Sequence, residues 1–457
     1  MSELEPTPIA ELVARWRTHP VTSYVDVVGH APQIRRLREL AALLALDPAE
    51  RARLRLRVGA GVVLSGPAGS GKTMLARAFA AELGRDVVAP PPGELDAERI
   101  DALYRALADD PVPVAVLLDE AGSLVGDADW TGDVDRSAQR ALAVALDGVS
   151  RPEVGPVTIA LTTLALAHLD DEITRPGRLS PRLELGRLSG TERAELLRRA
   201  VAGLPGAEAL RLERIVERTV GWSGAEITGL VPEALTRSLL EGAPTLHEEA
   251  LLAIVSERFV VRDPLPEGRR DPLLAAIHES GHCLHAYLTW GRGPEGQGPV
   301  AAVDLNERGG ITSLADWVLE RPGQSTRREL LRNAGLSLAG AAAERIVRGV
   351  DGLSAGAEQD RQRATAALTA VHALEVPFDE ASLEGHAGHA AHEMRAARFA
   401  AISAAAQQLW EEVLTTLAPH AHALRHLADA LVAAPDQALS GAELEATVAA
   451  ALGPALV

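Results

Sequence analysis

One cysteine, Cys283, stands in 457 residues. That excludes an intrachain disulfide framework and any multi-cysteine metal site. No stretch approaches the ~18 consecutive apolar residues that a membrane-spanning helix needs. The first twenty residues are acidic at the start and lack an apolar centre, so they do not read as a signal peptide. Positive charge is short: the formal net charge is −18, which argues against broad attraction to nucleic acid or an anionic membrane surface. Lysine is nearly absent, 44 of the 45 basic residues being arginine, so a position that keeps lysine stands out. It is Lys72. What remains, at 47% hydrophobic and 24% charged residues, is a folded, soluble chain of cytoplasmic type with two to four domains at ~100–200 residues each.

Ile9, Leu12, Val13 and Trp16 share one face of a short helix, so residues 1–23 read as an N-terminal helical arm. Buried-strand patterns at 58–64, 111–119 and 156–163 alternate with helical ones. That alternation predicts an α/β core over 24–185, a parallel sheet with helices on both faces. After Pro181 the pattern turns helical, giving a helical lid over 186–260. Three prolines, a glycine and six charged residues in 261–272 mark a linker. The remainder, 273–457, reads as mainly helical, with one β-like stretch near 299–314 and an alanine-rich helical tail over 400–452.

Gly66-Pro67-Ala68-Gly69-Ser70-Gly71-Lys72-Thr73 lies between a strand and a helix, the context in which such a glycine-rich loop cradles phosphates. Backbone N–H groups and the helix N-terminus face the anion. Lys72 neutralises the β- and γ-phosphates, and Thr73 offers a hydroxyl to Mg²⁺. Asp119 and Glu120 end the next buried strand, 47 residues beyond Lys72. Asp119 is placed to hold Mg²⁺ and Glu120 to polarise the attacking water. Arg178, in Arg175-Pro176-Gly177-Arg178, suits the stabilisation of transition-state charge on a neighbouring subunit's nucleotide. Gly221-Trp222-Ser223-Gly224-Ala225-Glu226 opens a lid helix.

His278-Glu279-Ser280-Gly281-His282 places two imidazoles one helical turn apart, where they can share Zn²⁺, with Glu279 as the proton acceptor for water. A third ligand is needed, and the motif does not supply it. His285 reads as a core residue and Cys283 as a small buried one. The clusters His386, His389, His392 and His420, His422, His426 read as solvated helix faces.

Together these segments resemble the FtsH family of membrane-anchored, ATP-dependent zinc proteases, from about residue 24 to 446. Asp26-Val27-Val28-Gly29, Leu146-Asp147-Gly148, Arg175–Arg178 and Gly221–Glu226 are similar to its ATPase segments. Gly310-Ile311-Thr312 resembles a β-edge beside its peptidase site, and Ala339–Gly349 the helix that follows. Ser354–Asp360 is similar to its S-x-G-A-x-x-D segment, which implies Asp360 as the third zinc ligand. The resemblance implies an AAA ATPase core followed by a zinc peptidase domain, using Zn²⁺ and ATP with Mg²⁺ to degrade protein substrates as a homohexamer.

There are departures. The family's membrane anchor has no counterpart, so the chain is expected to have no span of its own. Residues 84–111, between the two nucleotide motifs, lack the family's aromatic substrate-gripping loop, since Tyr104 is their one aromatic and falls in a helical pattern. Thr162 or Thr163 stands where the family has a sensor asparagine, and Pro181 where a second finger arginine is expected. Two alternatives to a threading protease follow: a zinc peptidase with a regulatory ATPase ring, or a non-catalytic scaffold subunit of a mixed ring.

Overall fold

The computed structural model describes residues 8–56, 58–108, 110–127, 134–148, 155–240, 242, 245–258, 271–306, 309–319, 326–354, 357–375, 389–434 and 436–453. Within it the chain forms two compact units. The first is Met1–Leu196 with Trp222–Gly229, and the second is Leu197–Gly221 with Leu230–Val457. The predicted lid is therefore shared between them. Residues 261–270 of the predicted linker and His386 lie outside the described residues.

The first unit begins with α1 (Ile9–Trp16) and β1 (Arg17–Thr18), then α2 (Ala31–Ala45), β2 (Gly61–Ser65), α3 (Lys72–Glu82) and β3 (Asp86–Val88). It continues through α4 (Ala97–Ala108), β4 (Val114–Leu118), α5 (Arg136–Gly148), β5 (Val157–Thr162) and β6 (Leu179–Glu184) to the first turns of α6 (Gly190–Val201). The sheet order is β1-β3-β4-β5-β2-β6. All pairings are parallel except β1 with β3. Every residue of β2, β4 and β5 is buried, as befits strands covered on both faces. Two apolar clusters, one on each face, fill the layers between sheet and helices.

One detail departs from the sequence reading. The N-terminal arm is more than a docked helix, because Val13 and Trp16 enter one core and β1 extends the sheet edge. The helical pattern expected after Pro181 begins at Gly190, and Pro181 itself sits inside strand β6 after a cis peptide bond.

The second unit holds α7 (Leu212–Arg218), most of α8 (Gly224–Leu240), α9 (Glu248–Arg258), α10 (Pro272–Trp290), β7 (Val300–Asn306) and β8 (Gly309–Leu314). It then runs through α11 (Arg327–Arg348), α12 (Glu358–Glu375), α13 (His389–Leu417), α14 (Ala421–Ala433), β9 (Ala438–Ser440) and α15 (Gly441–Leu452). Asp271 caps α10, its side chain accepting from the Leu274 N–H, and Pro272 takes the first helical position. Helix α10 is buried almost throughout from Ala276, so it is the spine of the unit. The β-like stretch forms the hairpin β7–β8, and the antiparallel sheet has the order β8-β7-β9. Strand β9 lies in the alanine-rich tail that reads as helical throughout. Three residues paired to β7 carry no periodicity of their own.

Candidate active sites

The first unit holds a cavity of about 710 Å³ lined by Gly69–Thr73, Asp119, Glu120, Thr162 and Thr163. Every residue of the phosphate-loop prediction from Ala68 to Thr73 borders it. Gly66 adopts φ +149°, and a Cβ there would meet the Leu185 carbonyl oxygen at 2.5 Å, so only glycine fits the start of the loop. Lys72 Nζ donates to the Gly66 and Pro67 carbonyls, each at 2.8 Å, and so is held across the loop mouth. Burial lowers its pKa and Asp119 opposes that shift. Asp119 accepts from the Glu120 N–H at 2.9 Å, and both acids are exposed at the end of β4. Glu120 sits at φ +49°, a left-handed conformation that a non-glycine residue adopts at a cost and that clusters at functional positions.

Two neighbours of this cavity, His30 and Thr228, were not singled out by the sequence. His30, also left-handed at φ 57°, donates from Nε2 to the Ser70 carbonyl at 2.9 Å. Gly224, Ala225 and Thr228 close another wall of the cavity, with the Ala225 N–H donating to the Gly69 carbonyl. Their helix start is fixed by Glu226, which accepts from the Ser223 N–H and hydroxyl, both at 2.7 Å. Thr162, one of the two threonines expected in place of a sensor asparagine, accepts from the Leu164 N–H at 3.1 Å.

Arg178 stands apart from the cavity lining. It is buried, with Nε and Nη2 on the two Asp147 oxygens at 2.9 and 2.6 Å and Nη1 on the Glu172 carbonyl at 3.0 Å. Arg175 is half exposed and meets the same Asp147 at 3.3 Å. Arg182, next to Pro181, pairs with Asp171. Tyr104 is buried, its hydroxyl hydrogen-bonded to Thr158 at 2.6 Å.

In the second unit, His278, Glu279 and His282 project from α10 and their ligand atoms lie within 4.8 Å of one another. A tighter set includes Asp360. The two Nε2 atoms are 3.1 Å apart, and Asp360 Oδ2 is 3.1 Å from His278 Nε2 and 3.4 Å from His282 Nε2. Ligands bound at ~2.0–2.1 Å around tetrahedral zinc stand ~3.3–3.4 Å from each other. The Asp360 set therefore fits such an ion, whereas the Glu279 carboxylate is engaged elsewhere. It accepts from Thr312 Oγ1 at 2.8 Å.

The outer nitrogens fix the rings. His282 Nδ1 donates to the Leu336 carbonyl at 2.7 Å, and His278 Nδ1 to Glu344 Oε1 at 2.6 Å. A carbonyl can only accept, so the tautomer of His282 leaves its Nε2 lone pair pointing inward. Glu344 is itself fixed by the Ser354 N–H at 2.6 Å and its hydroxyl at 3.0 Å. Burial alone would lower the His278 pKa, but Asp360 and Glu344 outweigh it and hold it at about 10. Burial would raise the Asp360 pKa, but His278 and His282 outweigh it and hold the carboxyl well below the usual carboxylate range. Helix α11 reaches the site because residue 340 is glycine; a Cβ there would overlap the His278 ring. Glu344, Gly340 and Thr312 were missed as site residues, though all three lie in segments quoted for the family resemblance. His285 and Cys283 are buried, as expected.

Among the described residues, no helix is long and apolar enough to cross a membrane. Residues 62–187 match the family model "ATPase family associated with various cellular activities (AAA)". The chain is 31% identical over 454 residues to "ATP-dependent zinc metalloprotease FtsH 3" of Sphaerobacter thermophilus, covering 95% of this chain and 88% of that protein. It is 30% identical over 373 residues to an FtsH of Nitrosococcus oceani, covering 77% and 56%. It is 28% identical over 358 residues to the chloroplastic/mitochondrial "FTSH 11" of Arabidopsis thaliana, covering 76% and 43%. The chain thus spans about half the length of the last two. With an AAA core, a phosphate loop and a His-Glu-His group on one chain, and that match across nearly its whole length, the protein belongs to the FtsH family of ATP-dependent zinc metalloproteases.

Proposed function

We propose that the chain is an ATP-dependent zinc endopeptidase acting on protein substrates, with His278, His282 and Asp360 as zinc ligands. The convergence of two Nε2 atoms and one carboxylate oxygen at 3.1–3.4 Å, with Glu279 beside them, carries this reading. Zinc bound there supplies Lewis acidity toward water and a scissile carbonyl. Glu279 takes the proton of the attacking water and returns it to the leaving amine. Thr312 keeps its carboxylate turned toward that task. In the other unit, Gly66–Thr73 bind the phosphates of ATP, Asp119 and Thr73 hold Mg²⁺, and Glu120 orients the hydrolytic water. Assembly as a homohexameric ring is inferred from the arginine segment 175–178, since an arginine acting in trans needs a neighbouring subunit.

A second reading, in which the ATPase regulates the peptidase and does not thread substrate, is favoured by one observation. Tyr104, the one aromatic of residues 84–111, is buried against Thr158 and is not available to grip a chain. The test is degradation of a dye-quenched unfolded protein by the zinc-loaded chain, with and without ATP, against Glu279→Gln as blank. Cleavage that requires ATP supports coupled feeding. Cleavage indifferent to ATP shows that flexible substrates reach the peptidase without being fed by the ATPase, which counts against threading, and no cleavage at all overturns both.

A further inference from the structure

Asp304 lies in the middle of β7 with no solvent exposure. Its ion partner is Arg218, the last residue of α7 and 1% exposed. Arg218 also donates to Ser256 Oγ at 2.6 Å and to Asp436 Oδ2 at 3.3 Å, and Arg214 donates to that same Asp436 oxygen at 2.6 Å. Among the described residues, neither Asp304 oxygen accepts a hydrogen bond of ordinary geometry, and its charge is met by Arg218. Burial holds its carboxyl up at about 6 against the pull of Arg218. A buried pair of this kind stabilises a fold no better than apolar side chains of similar volume. Its use is therefore to be sought in what it holds.

It holds the sheet behind Glu279. Asp304 pairs with Ile311 on β8, and the flanking pairs are Val303 with Thr312 and Leu305 with Gly310. Side chains alternate along a strand, so Gly310 and Thr312 occupy the face opposite Asp304. That face meets the candidate base: Gly310 lies against Glu279 Cγ, and Thr312 donates to Glu279 Oε2. Strand β8 is an edge strand whose one neighbour is β7. Whatever fixes β7 therefore fixes the carboxylate of Glu279. Arg218 leads within four residues to Trp222, and the segment that begins there supplies Gly224, Ala225 and Thr228 to the nucleotide cavity.

We propose that Asp304, clamped by Arg218, is a positioning residue for Glu279, and that the continuity of α7 with the cavity-lining segment makes this positioning respond to nucleotide. The proposal rests on the zinc peptidase reading. Displacing a reacting group by ~1 Å costs ~10²-fold in rate, so a partial loosening of the sheet is expected to read as a loss of about tenfold or more.

The experiment uses the zinc-loaded full chain and the quenched unfolded protein. Asp304→Asn is expected to lower kcat by about tenfold or more with KM held within about twofold, and with zinc content and ATP affinity unchanged. Arg218→Gln should do the same, and Arg218→Lys should restore most of the rate. The double variant Asp304→Asn with Thr312→Val should be no slower than Thr312→Val alone, because both act through one contact. In wild type the rate should differ between ATP and ADP, and in Asp304→Asn it should not. A wild-type kcat in Asp304→Asn, losses that multiply in the double variant, or equal loss in Arg218→Lys and Arg218→Gln overturns the positioning role. Nucleotide dependence undiminished in Asp304→Asn overturns its link to the cavity. If Asp304→Asn does not fold, the two Arg218 variants decide. An active wild type with unaffected variants refutes this inference alone, whereas a zinc-loaded wild type that cleaves nothing refutes the peptidase reading and this with it.

Discussion

Arg178 is bound to Asp147 in a two-pronged contact, Nε to Oδ1 at 2.9 Å and Nη2 to Oδ2 at 2.6 Å, inside its own chain. The contact raises the Arg178 pKa and lowers that of Asp147. An arginine so held is not free to meet a neighbour's nucleotide unless Asp147 releases it. Arg175, from the same turn, is half exposed and more loosely tied.

The first prediction separates these two arginines. Arg175→Ala should cut ATP hydrolysis by ~10³-fold or more while leaving ATP binding intact, the loss typical of a trans-acting arginine. Arg178→Ala should instead destabilise the ATPase unit. Removing a charged hydrogen-bond pair costs ~1.5–3 kcal/mol, and here less, because the Asp147 side chain is 51% exposed and is rehydrated. Thermal unfolding and steady-state ATPase rates of both variants decide. Full ATPase activity in Arg175→Ala would assign the role back to Arg178.

The second prediction concerns how α11 serves the metal site. Gly340→Ala should push the His278 ring aside, since the added Cβ would overlap it. Zinc should be lost while helical content by circular dichroism stays near wild type. Glu344→Ala should weaken zinc binding by ~10–100-fold, the usual cost of removing the partner that orients a ligating imidazole. Zinc titration against a competing chelator measures both. Wild-type affinity in Glu344→Ala would mean that His278 is oriented without it.

What was legible in the sequence was short in range. The phosphate loop and the His278–His282 pair are complete within a few residues, so spacing alone brings their atoms together. Asp360 is 82 residues from His278, and only the family resemblance reached it. Glu344, Gly340 and Thr312 act by facing α10 from other elements, which no local pattern encodes. The short strands β1, β3 and β9 exist because a neighbour's edge pairs with them. Asp304 and Arg218 belong to no motif, and the fold buries them together.

The third prediction is a pH dependence centred on His30. Burial lowers its pKa below the usual 6.5, opposed by its hydrogen bond to Ser70 and by Glu192. The unfolded chain therefore takes up this proton at a higher pH than the folded one. The stabilisation is present above about pH 6.5 and is lost as pH falls below it. The measurement is the urea midpoint of wild type and His30→Gln between pH 7.5 and pH 5, which spans the ordinary histidine range. Wild type should lose more stability than the variant across that interval. Parallel curves would show that His30 titrates alike in both states.

The fourth prediction turns on Glu120, held at φ +49° at the end of β4 beside Asp119. Glu120→Gln keeps the shape and removes the charge that orients water, so ATP binding should survive while hydrolysis falls by ~10²–10⁴-fold. The variant then holds ATP without turnover, and that state divides the two functional readings. If hydrolysis drives substrate to His278, His282 and Asp360, a folded substrate should be spared and an unfolded one cut slowly. If nucleotide only sets the state of the peptidase, the ATP-loaded variant should cut an unfolded protein as fast as wild type in ATP. Gel-resolved degradation of a folded and an unfolded form of one substrate, with bound nucleotide measured in parallel, distinguishes them. Retained hydrolysis in Glu120→Gln would remove Glu120 from the ATPase mechanism and require another residue to orient the water.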